Sequence, residues 1–371
     1  MDSKKLIAIV AVVIVVIAAA AAVALTRDDG GNGGDSTDET ITVTDGLGRT
    51  VTLSNIETVS SCSNVVASIL CGIGASSSIV AVSVDDGAYE DFSSVIGLVD
   101  DDYPQAIIEG LADGSIKSLG GMYNMSAESA MSVTSDLKIF TEYGYDPDTG
   151  AALDKVGIPY IVLKNESSIN TVYDNITLLG KVMKKESEAA ELVSDMKAVV
   201  QKIVDWCQSV VDDELGGEKV DASIIIGSNY ACGDQYIKGT ILTDIGANNP
   251  FAHLGKYAQV SSEGFAQANP DVMIYTSVAM GSDVDPSTFL EEFKNDPVLG
   301  MIDAAKNDNV YVINGDKTDS ATSTNSHGML NAYAFMAMCI YSDYLPFDVP
   351  NVFTDDVFED LLDQFWEVVN A

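Results

Sequence analysis

The middle of the chain limits its fold more than any other stretch. From Ile169 to Val211 apolar residues recur at helical spacing: Val172, Ile176, Leu179 and Met183, then Leu192, Met196, Val200, Ile203 and Cys207. Lys181, Lys184 and Lys185 sit where one helix would end, and Glu186, Glu188 and Glu191 where the next would begin. That charge order complements two helix dipoles meeting near residue 185. The second helix, of about 26 residues and about 39 Å, reads as a rigid spacer.

On both sides of this middle, short apolar runs alternate with helical stretches. Before it, Thr40–Thr44 and Arg49–Leu53 alternate around Asp45-Gly46, the pattern of a hairpin. Strands are expected at Glu57–Ser60, Ile79–Ser83, Leu137–Phe140 and Tyr160–Leu163, with helices at Asn64–Cys71, Ala127–Val133 and Thr149–Lys155. After Glu214-Leu215-Gly216-Gly217 the strands are Ala222–Ile226, Val272–Tyr275 and Val310–Ile313. The helices there are Thr240–Ile245, Ser262–Ala268, Pro286–Asn295, Gly328–Tyr341 and Thr354–Val369. Such repetition predicts an α/β fold: two Rossmann-like lobes with parallel sheets, joined by a long connecting helix. The boundaries follow as an N-terminal lobe at 41–167, a helical linker at 168–215 and a C-terminal lobe at 216–371.

Leu6–Leu25 is an unbroken run of Leu, Ile, Val and Ala. As a helix it spans about 30 Å, the thickness of a bilayer core. Lys4 and Lys5 before it keep the N-terminus in the cytoplasm and place the rest outside. Residues 1–26 are thus an N-terminal transmembrane anchor, or a signal cleaved near Ala22-Val23-Ala24; both export the body. Residues 27–40 hold no apolar residue and four glycines, a flexible tether with a reach of roughly 20 Å.

A formal charge of −37, from 56 acidic and 19 basic residues, repels phosphate backbones and excludes a nucleic-acid partner. Only Arg27 and Arg49 are arginines, so bidentate clamping of anions is not a theme. Cys62, Cys71, Cys207, Cys232 and Cys339 are widely spaced and read as small buried apolar residues. Catalytic signatures are weak. Gly72-Ile73-Gly74 follows a helix and lacks the third glycine of a dinucleotide loop, and no phosphate-loop, H-E-x-x-H or G-x-S-x-G motif is present. His253 and His327 are far apart, Asp100-Asp101-Asp102 reads as a solvated face, and Asn124, Asn165 and Asn175 head glycosylation sequons.

Several segments together resemble one family, the substrate-binding proteins of ABC importers for vitamin B12, iron-siderophores and haem. Thr42–Leu53 (TVTDGLGRTVTL) is similar to its first hairpin, Glu57-Thr-Val-Ser-Ser-Cys-Ser-Asn64 to its first strand and cleft-facing loop, and Ile79-Val-Ala-Val-Ser83 to its second strand. Gly120–Glu128 with Ser135–Ile139, then Gln259–Glu263, Asn269–Ile274, Asp296–Gly300 and Ala305–Val312, continue the likeness to the C-terminus. The resemblance implies two α/β lobes on one long helix, with ligand in the cleft between them and modest closure.

It also implies that one glutamate per lobe, here Glu128 and Glu263, docks on arginines of a permease dimer that works with an ATPase. The cleft-lining loops would contribute Ser61, Asn64, Asp85, Asp86, Tyr89, Tyr123, Tyr143 and Tyr145 from one lobe. Asn229, Tyr230, Gln235, Tyr236 and the stretch Asp316–His327 would come from the other. Tyrosines suit a large flat or chelated ligand with a mixed surface: an iron-siderophore, a corrinoid or haem, with His327 as an axial ligand in the last two cases. The scarcity of arginine departs from the family's handling of anionic chelates and favours a neutral or cationic ligand. No covalently held cofactor and no protein metal site are expected. The function expected is capture and delivery to an importer at the outer face of the cell membrane, without catalysis. The alternatives are an exported chelatase-like enzyme or a surface sensor on the same fold.

Overall fold

Alternating side chains close the first hairpin, β1 (Thr40–Thr44) on β2 (Thr50–Ser54), in antiparallel register. Asp45 makes the turn: its Oδ1 accepts from the backbone N–H groups of Leu47 (3.1 Å) and Arg49 (3.0 Å). The computed structural model describes residues 40–83, 103–121, 125–165, 167–276, 285–313 and 328–371, and Thr40–Ala371 forms one unit. The apolar run Leu6–Leu25 and the tether before Thr40 lie outside the described residues, among which no helix is long and apolar enough to cross a membrane.

The first sheet contains β3 (Val59–Ser61), β4 (Ile79–Val82), β5 (Lys117–Ser118), β6 (Leu137–Thr141) and β7 (Tyr160–Leu163). Its order is β5-β4-β3-β6-β7 and every pairing is parallel. Helices α1 (Asn64–Gly72), α2 (Tyr103–Asp113), α3 (Ala127–Met131) and α4 (Pro147–Val156) connect the strands. β6 and β7 are buried along their whole length, as strands covered on both faces must be.

The linker is α5 (Ile169–Val182) and α6 (Glu186–Ser209), followed by a π-helical turn at Val210–Glu214. The break falls where lysines give way to glutamates. α6 has 24 residues and is about 36 Å long. It is not a bare spacer, and here the sequence reading needs correction. Its stripe of Ala189, Leu192, Val193, Met196, Val199, Ile203 and Cys207 is buried in a core shared with both lobes. Two sheets remain distinct, but the apolar packing between them is continuous.

The second sheet contains β8 (Ala222–Ile226), β9 (Tyr230–Cys232), β10 (Tyr257–Gln259), β11 (Val272–Thr276), β12 (Val310–Ile313) and β13 (Val352–Phe353), in the order β10-β9-β8-β11-β12-β13. Its helices are α7 (Ile237–Asp244), α8 (Ser262–Ala268), α9 (Pro286–Asn295), α10 (Asp303–Lys306), α11 (Met329–Ile340) and α12 (Asp355–Val369). β8, β11, β12 and β13 are parallel, whereas β9 and β10 run antiparallel, so this sheet is mixed rather than wholly parallel. The reason is local: Gly227, Ser228 and Asn229 alone separate β8 from β9, too few for a crossover. α11 is buried at every position and packs against α6, α7 and α12, which explains its near-continuous apolar sequence.

Candidate functional site

The strand order is third-second-first-fourth-fifth in the first sheet and third-second-first-fourth-fifth-sixth in the second, reversing between β3 and β6 and between β8 and β11. In doubly wound folds a ligand lies outside the carboxyl ends of the strands at this switch point, because the two flanking connections leave in opposite directions and open a crevice. The site is therefore sought at the loops after β3 and β6 in one lobe and after β8 and β11 in the other.

After β3 the chain enters α1 through a loop built by its own serines. Ser61 is buried and its hydroxyl donates to the Ser63 carbonyl at 2.6 Å. Ser63 caps the helix, its Oγ accepting from the Val65 N–H (3.3 Å), while Asn64 Oδ1 accepts from the same group (2.9 Å). Ser61 thus shapes the loop, and Asn64, half-buried at the first helical position, stands at the switch point. After β6, the Tyr143 N–H donates to Asn165 Oδ1 (3.1 Å), and the Asn165 N–H donates to Glu142 Oε2 (2.7 Å). These bonds lash the loops after β6 and β7 together and leave the Tyr143 ring exposed.

Tyr145 is differently employed. It stacks on Tyr160 with centroids 5.9 Å apart, and its hydroxyl meets that of Tyr160 at 3.3 Å. Gly150 makes this possible, since a Cβ there would lie 2.2 Å from the Tyr145 oxygen. Tyr145 fills the lobe. Arg49 is committed as well: it binds Asp45 through Nε (3.0 Å) and Nη2 (2.6 Å) and stacks 4.1 Å from the Tyr160 centroid.

In the second lobe Gly227 turns the chain with φ +60 and donates to Thr276 O (2.9 Å), joining the ends of β8 and β11. Asn229 O accepts from Val260 N at 2.9 Å. Tyr230 is exposed and meets Tyr257 edge to face at 6.3 Å; Tyr257 in turn meets Tyr236 at 5.6 Å. Gln235 lies beside Gly255, to which its N–H is bonded at 2.9 Å. The structure thus places Asn229, Tyr230, Gln235 and Tyr236 along the β9–β10 edge of the sheet.

Three residues there escaped the sequence reading. Tyr257 is carried by β10, too short to show alternation, and Thr276 closes β11. Lys238, in the first turn of α7, is buried and donates to Thr276 Oγ1 at 3.3 Å. A lone lysine in an apolar helix gives no signal in one sequence. Asp85, Asp86, Tyr89, Tyr123 and Asp316–His327 lie outside the described residues. Among the described residues no group of His, Cys, Asp and Glu is placed to hold a metal. A groove of approximately 480 Å³, lined by Trp206, Val210, Asp213, Asp343, Tyr344 and Leu345, lies at the end of α6 and contains none of the expected site residues.

The two glutamates singled out from the sequence occupy equivalent local designs. Glu128 and Glu263 are each exposed at the second position of a short helix that begins Ser-x-Glu. Ser126 Oγ accepts from Ser129 N (3.1 Å), and Ser261 Oγ from Gly264 N (3.3 Å). Its own backbone N–H and the Ser261 hydroxyl hold the Glu263 carboxyl below the ordinary carboxylate range.

A parallel sheet and a mixed sheet, joined by a helical linker, give the chain a two-lobed α/β architecture. The periplasmic binding protein family matches residues 135–316, so the resemblance read from the sequence holds, and the matching proteins are solute-binding proteins rather than enzymes. No curated protein matches the sequence. Among solved structures, a possible iron-binding (periplasmic solute-binding) protein from Staphylococcus epidermidis is similar at 22% identity and TM-score 0.59, covering 77% of this chain and 99% of its own. A periplasmic heme binding protein from Pseudomonas aeruginosa has 17% identity and TM-score 0.60, with coverage of 80% and 96%. An ABC-type Fe3+-hydroxamate transport system protein from Saccharomonospora viridis has 20% identity and TM-score 0.59, with coverage of 81% and 99%. At these identities the likeness is one of fold.

Proposed function

We propose that this protein captures a metal chelate (an iron-siderophore, a corrinoid or haem) outside the cytoplasm and delivers it to the permease dimer of an ABC importer. The observation that carries the reading is the pair of switch points, each flanked by polar and aromatic side chains, on a fold shared with heme-binding and Fe3+-hydroxamate transport proteins. Asn64 and Tyr143 on one lobe, and Asn229, Tyr230, Gln235 and Tyr236 on the other, form the two walls. The family resemblance adds Asp85, Tyr89, Tyr123 and His327 to this reading as ligand-contacting candidates. The engagement of Arg49 with Asp45 supports a ligand that is not held by guanidinium groups.

The Leu6–Leu25 anchor keeps the body at the outer membrane surface, and the domain limits 41–167, 168–215 and 216–371 separate lobe, linker and lobe. Glu128 and Glu263 dock on cationic sites of the permease, where separated carboxylates orient the body and speed its arrival. Cells carrying the Glu128→Ala/Glu263→Ala double variant are expected to lose uptake of radiolabelled ferric chelate, while the purified variant still binds it. Normal uptake by the double variant refutes the docking roles.

A further inference from the structure

The Ser-x-Glu helices share a second feature: just past the last turn of each, the chain is pinned by one polar side chain. α3 has five residues, far fewer than the ~12–15 that an isolated helix needs. Its direction is therefore set by what holds its ends. Ser126 caps the start. The far flank is held by Lys138 of β6, which is 1% exposed and donates to the Val133 carbonyl and to Ser60 Oγ (2.9 Å). Ser60 donates onward to Ser135 Oγ (2.9 Å), and Ser135 to the Leu137 carbonyl (3.0 Å), so every hydroxyl proton in the chain is placed.

Among the described residues Lys138 forms no ion pair with a carboxylate, and burial pushes its ammonium below the usual lysine range. An uncompensated buried charge is costly, and methionine would fill the same strand position with less penalty. The ammonium does what an apolar side chain cannot. It satisfies the Val133 carbonyl, two residues beyond the end of α3, and ties the segment that leaves this helix to β3 through Ser60.

In the other lobe Asn269 ends α8 in the left-handed conformation (φ +44), its N–H donating to Phe265 O at 2.8 Å. Its side chain exchanges two hydrogen bonds with Asp303 at the start of α10: Nδ2 to Oδ2 at 2.7 Å, and Asp303 N to Oδ1 at 3.0 Å. Different chemistry, lysine in one lobe and asparagine in the other, fixes the same local design.

We propose that Lys138 and Asn269 are positioning residues for docking, holding the helices that bear Glu128 and Glu263 rigidly on their lobes so that both carboxylates meet their cationic sites together. This rests on the docking reading. The test uses the full chain and its cognate permease–ATPase complex in lipid nanodiscs, with ferric chelate affinity and amide exchange measured in parallel. Lys138→Met is expected to weaken association at least tenfold, leave chelate affinity unchanged, speed exchange across 127–133, and add no further loss to Glu128→Ala. Asn269→Ala is expected to behave likewise with Glu263→Ala. Ser126→Ala, which loosens the exposed end of α3 without touching the core, serves if Lys138→Met does not fold, and the same non-additive loss is expected. Wild-type association by Lys138→Met and Asn269→Ala, or full additivity with the glutamate variants, overturns the positioning role alone. Wild-type association by Glu128→Ala/Glu263→Ala overturns docking and this inference with it.

Discussion

Arg49 supplies the sharpest test of whether a guanidinium in the body serves the ligand or the fold. Its partner Asp45 has no side-chain exposure, while Arg49 itself is about one-third exposed at 32%. Deleting the guanidinium removes two charge-assisted hydrogen bonds and a stacking contact with Tyr160, and leaves a buried carboxylate with only backbone donors at Leu47, Arg49 and Val162. Breaking a buried pair costs about 3–5 kcal/mol; the exposed side of Arg49 and the surviving N–H donors place Arg49→Ala near 3 kcal/mol. With a urea slope of about 3 kcal/mol per molar, the unfolding midpoint falls by about 1 M. In Arg49→Ala/Asp45→Asn the orphaned charge is gone, and about 1–2 kcal/mol of that loss returns. Ferric chelate affinity is expected to stay unchanged in both variants. A midpoint for Arg49→Ala within 0.3 M of wild type (about 1 kcal/mol at that slope), or a tenfold loss of affinity at unchanged stability, refutes the reasoning.

Two further outcomes follow from burial. Burial pushes the thiols of Cys62, Cys71 and Cys232 up to about 12, and those of Cys207 and Cys339 still higher. An aromatic disulfide reagent at pH 8 is expected to label none of the five in the native chain and all of them in urea. Burial also raises the Asp244 carboxyl above its ordinary value, against the opposing hydrogen bond from the Tyr333 hydroxyl. The native state then holds that proton more tightly than the unfolded chain, so the cost of ionising Asp244 is absent below about pH 4 and fully present above the raised value. The stability difference between Asp244→Asn and wild type is expected to shift in the variant's favour between pH 4 and pH 7; urea midpoints at both pH values check the sign.

What the sequence disclosed was governed by length and period. α5 and α6 are long enough for a 3.6-residue pattern to accumulate, and the change from Lys184-Lys185 to Glu186 marks their junction within a residue. β6, β7, β8 and β12 were found because continuous apolar runs bounded by turns have few other readings. β9, β10 and β13 hold two or three residues each and carry no periodicity, so the mixed character of the second sheet was hidden, and Tyr257 with it. The starts of α3 and α8 at Ala127 and Ser262 matched expectation, while the serines that cap them were not part of that reading. The pins Lys138 and Asn269 were not legible, since Lys138 depends on contacts across strands and Asn269 on Asp303. Tyr145 looked like a ligand contact because tyrosine on a loop signals both roles; only Tyr160 and Gly150 beside it decide for packing.

The most direct test of the whole account is hydrogen–deuterium exchange of the full chain, alone and saturated in turn with haemin, a ferric hydroxamate and cobalamin. One of the three is expected to bind at a single equivalent, emerge chemically unchanged, and slow exchange at both 61–64 and 227–230, the loops after β3 and β8. Protection confined to one lobe, or conversion of the bound molecule, contradicts it.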